Sequence, residues 1–325
     1  MIKHLSLFSG VGGASSALKQ AKIPYKTIAV AEYAKTPKPF VHTPLAVYKA
    51  IHGKVPPNLG ILREDTIKNW IKEAKFLASE DSKDGEIDLI TGGFPCQPFS
   101  GFGKRQGFED PRFVPARLLH QVVHELQPRY VMLENVKDII TKPFREKLDV
   151  YLNWYMLSGY NITIHVGNPL NMGYIQSRSR VFFIMSRSDI SPKGAVPRWK
   201  VPASTGGLPM VKQRFRYDKL DETQFYKIGK QRAIRFYEDI KRFDCFCART
   251  ADAHDARFSW IKYEDTGRSP TPYETFQLFG YAKKPKIKLQ QRGGISRTNF
   301  YYSMGNSWHV GHAAALLKTL PQGGK

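Results

Sequence analysis

Residues 87–102 read Ile-Asp-Leu-Ile-Thr-Gly-Gly-Phe-Pro-Cys-Gln-Pro-Phe-Ser-Gly-Phe. The apolar start of this stretch predicts a buried strand that stops at two glycines. Cys96 then lies between Pro95 and Pro98, and each proline fixes its own φ and restricts the residue before it. Open α/β sheets place their chemistry in loops at the carboxyl ends of strands. A lone cysteine is usually a small buried hydrophobe, but this rigid turn favours a displayed nucleophile.

The chain opens with a predicted strand over residues 2–8, a glycine turn over residues 9–13 and a helix over residues 14–21. The bare amides of such a turn and the N-terminus of the helix can approach an anionic group. A second predicted strand, residues 27–31, ends at Glu32, where a carboxylate can accept hydrogen bonds from ribose hydroxyls. Dinucleotide dehydrogenases share this pattern, so by itself it indicates a nucleotide-like cofactor and leaves the reaction open.

Strands and helices continue to alternate along the first 186 residues. The patterns predict helices over residues 66–78, 115–126 and 144–157, and strands over residues 130–133, 160–166 and 181–185. Residues 79–86 are polar and are expected to form a loop. This alternation is typical of an α/β fold with a Rossmann-like, doubly wound sheet.

Ionisable side chains adjoin two of the later strands. Glu134 follows strand 130–133 and is expected to be an acid or base partner of Cys96. Arg178 and Arg180 enter strand 181–185. Because side chains two residues apart in a strand point to the same face, these arginines are expected to hold an anion or a carbonyl together.

The composition points to a polyanionic partner. The formal charge is +22 in 325 residues that are 42% hydrophobic, so the chain is expected to fold and to present its excess charge to nucleic acid. No apolar run approaches the ~20 residues of a membrane-spanning helix, and residues 1–4 do not resemble a signal peptide. The chain has three cysteines and no pattern of a disulfide framework, which suits a reducing cytoplasm. Cys245 and Cys247 are expected to pack as ordinary side chains and not to bind a metal.

The texture of the chain changes after residue 186. Prolines interrupt any long helix, and basic residues interleave with aromatic ones, as in Arg214-Phe215-Arg216. This interleaving favours contacts with phosphates and bases over a merely solvated accessory domain. A smaller, irregular second domain is therefore predicted over residues 187–267. Residues 268–325 are expected to return and complete the first domain, residues 1–186.

Six segments resemble, in the same order, the signatures of the DNA cytosine-5 methyltransferase family, and they cover most of the chain outside residues 187–265. Ser6 stands where the family usually has an aspartate, and residues 268–280 are a degraded version of the segment that braces the recognition domain. The six segments are Phe8-x-Gly10-x-Gly12-Gly13, Phe94-Pro95-Cys96-Gln97, Gly107 to Arg112, Glu134-Asn135-Val136, Gln176-x-Arg178-x-Arg180 and Gly305-Asn306-Ser307.

The resemblance implies an S-adenosyl-L-methionine-dependent methyltransferase fold, with residues 187–267 as the target-recognition domain. It places catalytic roles on Cys96, Glu134, Arg178 and Arg180, and it implies no metal. Glu32 is expected to bind the ribose and Asp65 the adenine amino group. The expected cofactor contacts are Phe8, Gly10, Gly12, Gly13, Glu32, Tyr33, Asp65, Thr66, Pro95, Asn306 and Ser307, and the expected DNA contacts are Ser100, Lys104, Arg105, Gln106, Arg214 and Arg216.

The implied reaction transfers a methyl group to C5 of a flipped-out cytosine in a specific sequence of double-stranded DNA. The Cys96 thiolate adds to C6, Glu134 supplies a proton at N3 and Arg180 donates to O2, while Arg178 is assigned to positioning. A monomer in the cytoplasm of a bacterial cell or a phage-infected host is expected, as in restriction-modification systems.

Three alternatives stay open at this point. The first is an RNA enzyme on the same scaffold, which methylates a tRNA cytosine, because residues 187–265 do not reveal contacts to a 2′-hydroxyl. The second is a DNA-binding homologue without activity, although intact Cys96, Glu134 and Arg180 argue against it. The third is a nicotinamide dehydrogenase, which leaves the cysteine loop and the positive charge unexplained.

Overall fold

A six-stranded sheet forms the centre of the computed structural model, which describes residues 1–33, 44–81, 85–96, 98–99, 107–190, 226–227, 236–237, 242–243, 261–263, 266–268, 270–289 and 294–320. The strand order is β2-β1-β3-β4-β6-β5. The strands are β1 (Ile2–Leu7), β2 (Tyr25–Ala31), β3 (Leu89–Gly92), β4 (Tyr130–Val136), β5 (Tyr160–Gly167) and β6 (Arg180–Arg187).

Strands β1 to β4 are parallel, whereas β6 is antiparallel to both β4 and β5. The carboxyl ends of β1, β3 and β4 therefore meet at one edge of the sheet, called the catalytic edge below. This arrangement confirms the predicted α/β fold with its doubly wound sheet.

Helices cover both faces of the sheet. One hydrophobic cluster joins the sheet to α1, α6, α7 and α8, and a second joins it to α3, α4 and α5. The helices are α1 (Gly13–Ala21), α2 (Pro44–His52), α3 (Ile67–Asp81), α4 (Val114–Leu126), α5 (Arg145–Leu157), α6 (Pro272–Leu278), α7 (Arg297–Gly305) and α8 (Val310–Leu317).

Strand β6 shows why the sheet needs both layers. Phe182 and Ile184 point into the first cluster, and Val181, Phe183 and Met185 point into the second. All five are at most 1% exposed. A fully buried side chain of this size contributes roughly 1.5–3 kcal/mol through the hydrophobic effect. A continuous apolar run of this kind is what a strand covered on both faces requires.

Three features differ from the sequence prediction. Helix α3 continues to Asp81, into the stretch predicted as a loop, with Ala78 buried on its inner face. Strand β4 continues to Val136, because β6 pairs with it along its whole length, so Glu134 lies within the strand rather than after it. Helices α6 and α7 were not predicted from the sequence.

Helix α6 has a local cause that was readable in the sequence. Thr271 caps its N-terminus, and Glu274 bonds back to the Thr271 backbone, so the two residues form a capping box. The residues expected to brace the recognition domain therefore include a helix start whose backbone N–H groups are satisfied locally.

Most of the predicted recognition domain, residues 187–267, lies outside the described residues, as do Cys245 and Cys247. Five short strands are described there, and they form a three-stranded sheet of order β10-β11-β7 and a β8-β9 pair. They are β7 (Tyr226–Lys227), β8 (Phe236–Tyr237), β9 (Arg242–Phe243), β10 (Ile261–Tyr263) and β11 (Thr266–Arg268).

Candidate active site

Cys96 lies in a tight turn just beyond the end of β3. The Phe99 backbone N–H donates to the Cys96 carbonyl at 3.0 Å, which closes the turn. Phe94 and Phe99 on either side of it are buried, and both rings contact Phe113 edge-to-face. Cys96 itself carries its thiol at intermediate exposure. The aromatic anchors thus hold the backbone, and the thiol is left reachable.

Glu134 and Arg180 form an ion pair at the catalytic edge, with Arg180 Nε 3.0 Å from Glu134 Oε1. The strand register explains the contact. Arg180 pairs with Val136, which shares a face of β4 with Glu134. The cysteine loop starts next to this ion pair. A Cβ atom on Gly93, at the start of the loop, would lie 3.7 Å from Glu134 Oε2.

Arg178 has a different environment from Arg180. Its side chain is buried, and Nη2 donates to the carbonyls of Gly305 and Ser307 at 3.0 and 2.9 Å. The Arg178 backbone N–H donates to the Asn168 side chain at 3.0 Å. The two arginines therefore do not act on one group together: Arg180 faces the carboxylate, and Arg178 holds the loop that follows α7.

The glycine turn after β1 contains strained backbone. Phe8 and Gly10 have φ angles of 52° and 53°. Glycine adopts positive φ angles readily, whereas other residues rarely do, so the strain lies at Phe8. The Gly10 backbone N–H donates to Glu32 Oε2 at 2.6 Å, and the Tyr33 backbone N–H donates to Glu32 Oε1 at 2.8 Å. Burial raises the pKa of Glu32, and these two backbone hydrogen bonds oppose the shift.

A narrow cavity of about 30 Å³ lies between the glycine turn, the end of β3 and the loop after α7. Gly10 faces it with no other atom within 4 Å of the position that a Cβ would take. The opposite wall is close, since a Cβ on Gly13 would lie 2.8 Å from Ser307 Oγ. Among the predicted cofactor residues, those that line this cavity are Phe8, Gly10, Gly13, Asn306 and Ser307.

A wider cleft of about 520 Å³ lies beyond Glu32. Tyr33 and Thr66, two predicted cofactor residues, line it together with Arg63 and Trp70. Asp65 is exposed in the turn before α3 and does not line this cleft. Backbone hydrogen bonds between Val30 and the 57–59 segment hold the cleft against the edge of β2.

The residues around the cavity and the cleft are of the types that could hold the two halves of S-adenosyl-L-methionine, the cofactor that the sequence resemblance implies. Bare amides and the open side of Gly10 suit the methionyl group. The Glu32 carboxylate between them retains lone pairs for ribose hydroxyls. An aromatic ring and an extended cleft suit a purine.

Two residues of the site were missed in the sequence. Trp308 is buried, and its Nε1 lies 3.2 Å from the Cβ position of Gly93. Tyr302 lies one helical turn before Asn306. Burial and the nearby charges of Glu32 and Cys96 raise the pKa of Tyr302. The position of Trp308 next to the Gly-Asn-Ser signature was the available signal, whereas nothing local pointed to Tyr302.

The predicted DNA contacts cannot be placed, because Ser100, Lys104, Arg105, Gln106, Arg214 and Arg216 lie outside the described residues. In the described part of the chain, no helix has both the length and the apolar character needed to cross a membrane. In the same ranges, no three His, Cys, Asp or Glu side chains converge in a way that could hold a metal ion.

Comparison with known proteins identifies the family. The chain is 30% identical over 189 residues to the orphan methyltransferase M.Rho11sI of Bacillus phage rho11s, which covers 58% of this chain and 34% of that protein. It is 30% identical over 197 residues to the type II methyltransferase M.NgoPII of Neisseria gonorrhoeae, which covers 61% and 51%. The matched stretches thus span about half or less of these relatives.

The fold resembles that of the Entamoeba histolytica methyltransferase EhMeth, with a TM-score of 0.68 at 16% identity over 98% of both chains. The family model for C-5 cytosine-specific DNA methylases matches residues 2–244. Because that match spans most of the sequence, the chain belongs to the C-5 cytosine-specific DNA methylase family.

Proposed function

We propose that this chain is a DNA (cytosine-5)-methyltransferase that uses S-adenosyl-L-methionine and acts on a flipped-out cytosine in duplex DNA. The observation that carries the proposal is the Arg180–Glu134 pair at 3.0 Å, placed beside the Cys96 loop at one edge of the sheet. A nucleophile, a carboxyl group and a fixed guanidinium are the three groups that activation of a cytosine ring requires.

The proposed chemistry begins at Cys96. Its thiolate adds to C6 of the cytosine, and the electron pair moves through the ring toward N3 and O2. Glu134 delivers a proton to N3, and Arg180 donates hydrogen bonds to O2. These steps turn C5 into an enamine carbon that can attack an electrophile.

When bound, S-adenosyl-L-methionine supplies an electrophilic methyl group. After transfer, C5 carries both the methyl group and a proton. A general base, which we assign to water, removes that proton, the C5–C6 double bond re-forms and the Cys96 thiolate leaves, and N3 returns its proton to Glu134. The target cytosine must rotate out of the duplex before Cys96 can reach C6, at a cost of a few kcal/mol.

Glu32, Tyr33 and Thr66 are proposed to bind the adenosyl part, and Asn306 and Ser307 the methionyl part. Asp65 remains proposed for the adenine amino group, which requires its turn to close over the cleft. Trp308 is added as the wall that separates the cavity from the base. Residues 1–186 and 268–325 are proposed to form the catalytic domain and residues 187–267 the recognition domain. A monomeric state and a cytoplasmic location stay predictions.

The deciding test is methyl transfer from tritiated S-adenosyl-L-methionine to pooled duplex DNA and, separately, to tRNA. Tritium in 5-methylcytosine of DNA supports the proposal. Label in tRNA alone would overturn the DNA substrate and favour the RNA enzyme. Cofactor binding without label in either nucleic acid would favour a binding protein that has lost activity.

A further inference from the structure

Most of the net positive charge of the chain comes from its two ends, because they contain almost no acidic residues. Residues 1–63 contain nine Lys and Arg, residues 275–325 contain eight, and the two segments together contain a single carboxylate, Glu32. These segments supply β1, α1, β2, α2, α7 and α8. The helices among them cover the same face of the sheet, because α1 packs on α8 and α2 packs on α7. The helices α1, α2, α7 and α8 therefore contribute no acidic side chain to this face of the sheet.

The two ends are joined at a specific place by the side chain of Gln20. Its Nε2 donates to the Gly280 carbonyl at 2.9 Å, and its Oε1 accepts from the Ala282 backbone N–H at 2.8 Å. Residues 283–289 continue across the protein. Ile287 and Leu289 pack against the hydrophobic cluster that joins the sheet to α1, α6, α7 and α8. The chain is held by its apolar residues, so its lysines are directed outward.

We define the lysine surface as the exposed side chains of this junction. It includes Lys19 and Lys22 at the C-terminal end of α1, and Lys283, Lys286 and Lys288 from the segment that Gln20 holds. Neither of the two contributing segments, residues 1–31 and residues 275–289, contains an aspartate or a glutamate. Five ammonium groups therefore share one region with no carboxylate from either segment to neutralise them.

The lysine surface lies away from the candidate active site. Helix α1 begins at the glycine turn on the catalytic edge and runs back, so that Lys19 and Lys22 lie near the start of β2 at the opposite edge. Strand β1 spans that distance with six residues, about 17 Å at 3.3 Å per residue. A DNA duplex whose target cytosine lies at Cys96 therefore contacts a different part of the protein from the lysine surface.

We propose that the lysine surface binds the phosphate backbone of a second segment of duplex DNA, independently of sequence. The inference rests on the proposed function, which makes DNA the substrate. Lysine ammonium groups on flexible stems suit phosphates as point charges, whereas reading of bases needs planar or bidentate donors. Neutralising several phosphates releases counterions, which favours binding. This surface therefore holds the enzyme on long DNA while the active site around Cys96 samples target sequences.

The test compares two double variants with equal changes of charge. Lys286→Glu/Lys288→Glu alters the lysine surface, and Lys68→Glu/Lys72→Glu alters exposed lysines of α3 on the opposite face of the sheet. Binding of a 60-base-pair duplex of random sequence is measured from 50 to 300 mM salt without cofactor. Thermal unfolding and cofactor binding, followed by tryptophan fluorescence, show that both variants are folded.

We expect Lys286→Glu/Lys288→Glu to bind the duplex at least tenfold more weakly, with a salt slope smaller by about 1.8, since each phosphate contact contributes about 0.9. The α3 variant should lose much less. Single-turnover methylation of saturating short DNA fragments should stay close to wild type in both. An equal loss of binding in the two variants would mean that only total charge matters, and no loss in either would also overturn the proposal.

Three further outcomes separate the possible failures. If Lys286→Glu/Lys288→Glu binds the 60-base-pair duplex as wild type does but loses binding to phosphatidylserine vesicles, the surface is a membrane site and the proposal is wrong. If wild type methylates DNA while the lysine variant binds normally, only this inference fails. If wild type neither binds nor methylates DNA, the proposed function fails first.

Discussion

Arg180 Nε lies 3.0 Å from Glu134 Oε1, in a pair whose side chains are only 11% and 12% exposed. Salt screens such a partly buried pair much less than an exposed one. The other oxygen of the same carboxyl group, Glu134 Oε2, lies 3.7 Å from the Cβ position of Gly93 at the start of the cysteine loop. The proposed proton donor and the proposed oxyanion donor are therefore oriented by each other.

Removing one member of this pair should cost nearly as much as removing both. Glu134→Gln and Arg180→Gln are each expected to lower kcat by about 10²–10⁴, and the double variant should lose little more, because the groups act as a unit. The measurement is a double-mutant cycle in single-turnover methylation. Additive losses would show that the two residues act in separate steps.

Cys96→Ser should abolish methylation but leave duplex binding within about tenfold, or ~1.4 kcal/mol, because the proposed role of the sulfur is covalent. Wild-type enzyme, S-adenosyl-L-methionine and a duplex with 5-fluorocytosine at the target should give a complex that survives denaturing electrophoresis. Fluorine does not leave C5 as a cation, so Cys96 cannot be released by elimination. An active wild-type enzyme without such a complex would exclude the covalent route.

Arg178→Lys should raise the KM for S-adenosyl-L-methionine more than it lowers kcat. A lysine cannot reproduce two guanidinium hydrogen bonds to the Gly305 and Ser307 carbonyls, so the loop that carries Asn306 should loosen. Arg187→Lys is the matched control, because Arg187 donates to the Gln127 carbonyl at the other end of β6. A fall in kcat at unchanged KM would instead place Arg178 on the reacting base.

The free energy of unfolding should fall between pH 7.5 and pH 5.5. Burial lowers the pKa of His4 to about 3, and burial together with His165 lowers the pKa of His312 to about 3. Both histidines take up a proton on unfolding below about pH 6.5, so stability is retained above that pH and lost as the pH falls toward 3. At pH 5.5 each contributes a loss of about 1.4 kcal/mol.

Urea denaturation at the two pH values measures this slope. His4→Gln should reduce this slope by about half of the contribution of the pair, because one of the two buried imidazoles is then absent. A pH-independent midpoint for wild type would show that the buried histidines do not control acid stability.

Local chemistry in the sequence determined much of this protein. The period of the apolar residues predicted the strands of the sheet and the helices α1, α3, α4 and α5, and glycine spacing predicted the turn after β1. The two prolines around Cys96 marked a displayed thiol. These features depend on neighbouring residues only, so the sequence alone reveals them.

Which functional side chains come into contact depends on the tertiary fold. Arg178 and Arg180 are two residues apart and were assigned to one face, yet Arg178 reaches carbonyls 127 and 129 residues away while Arg180 reaches Glu134. The register of β6 against β4 sets the second contact. Trp308 beside Gly93, Tyr302 near Cys96, and the junction of α1 with residues 280–289 likewise depend on long-range packing. No local pattern encodes such contacts, because they exist only once distant segments share one core.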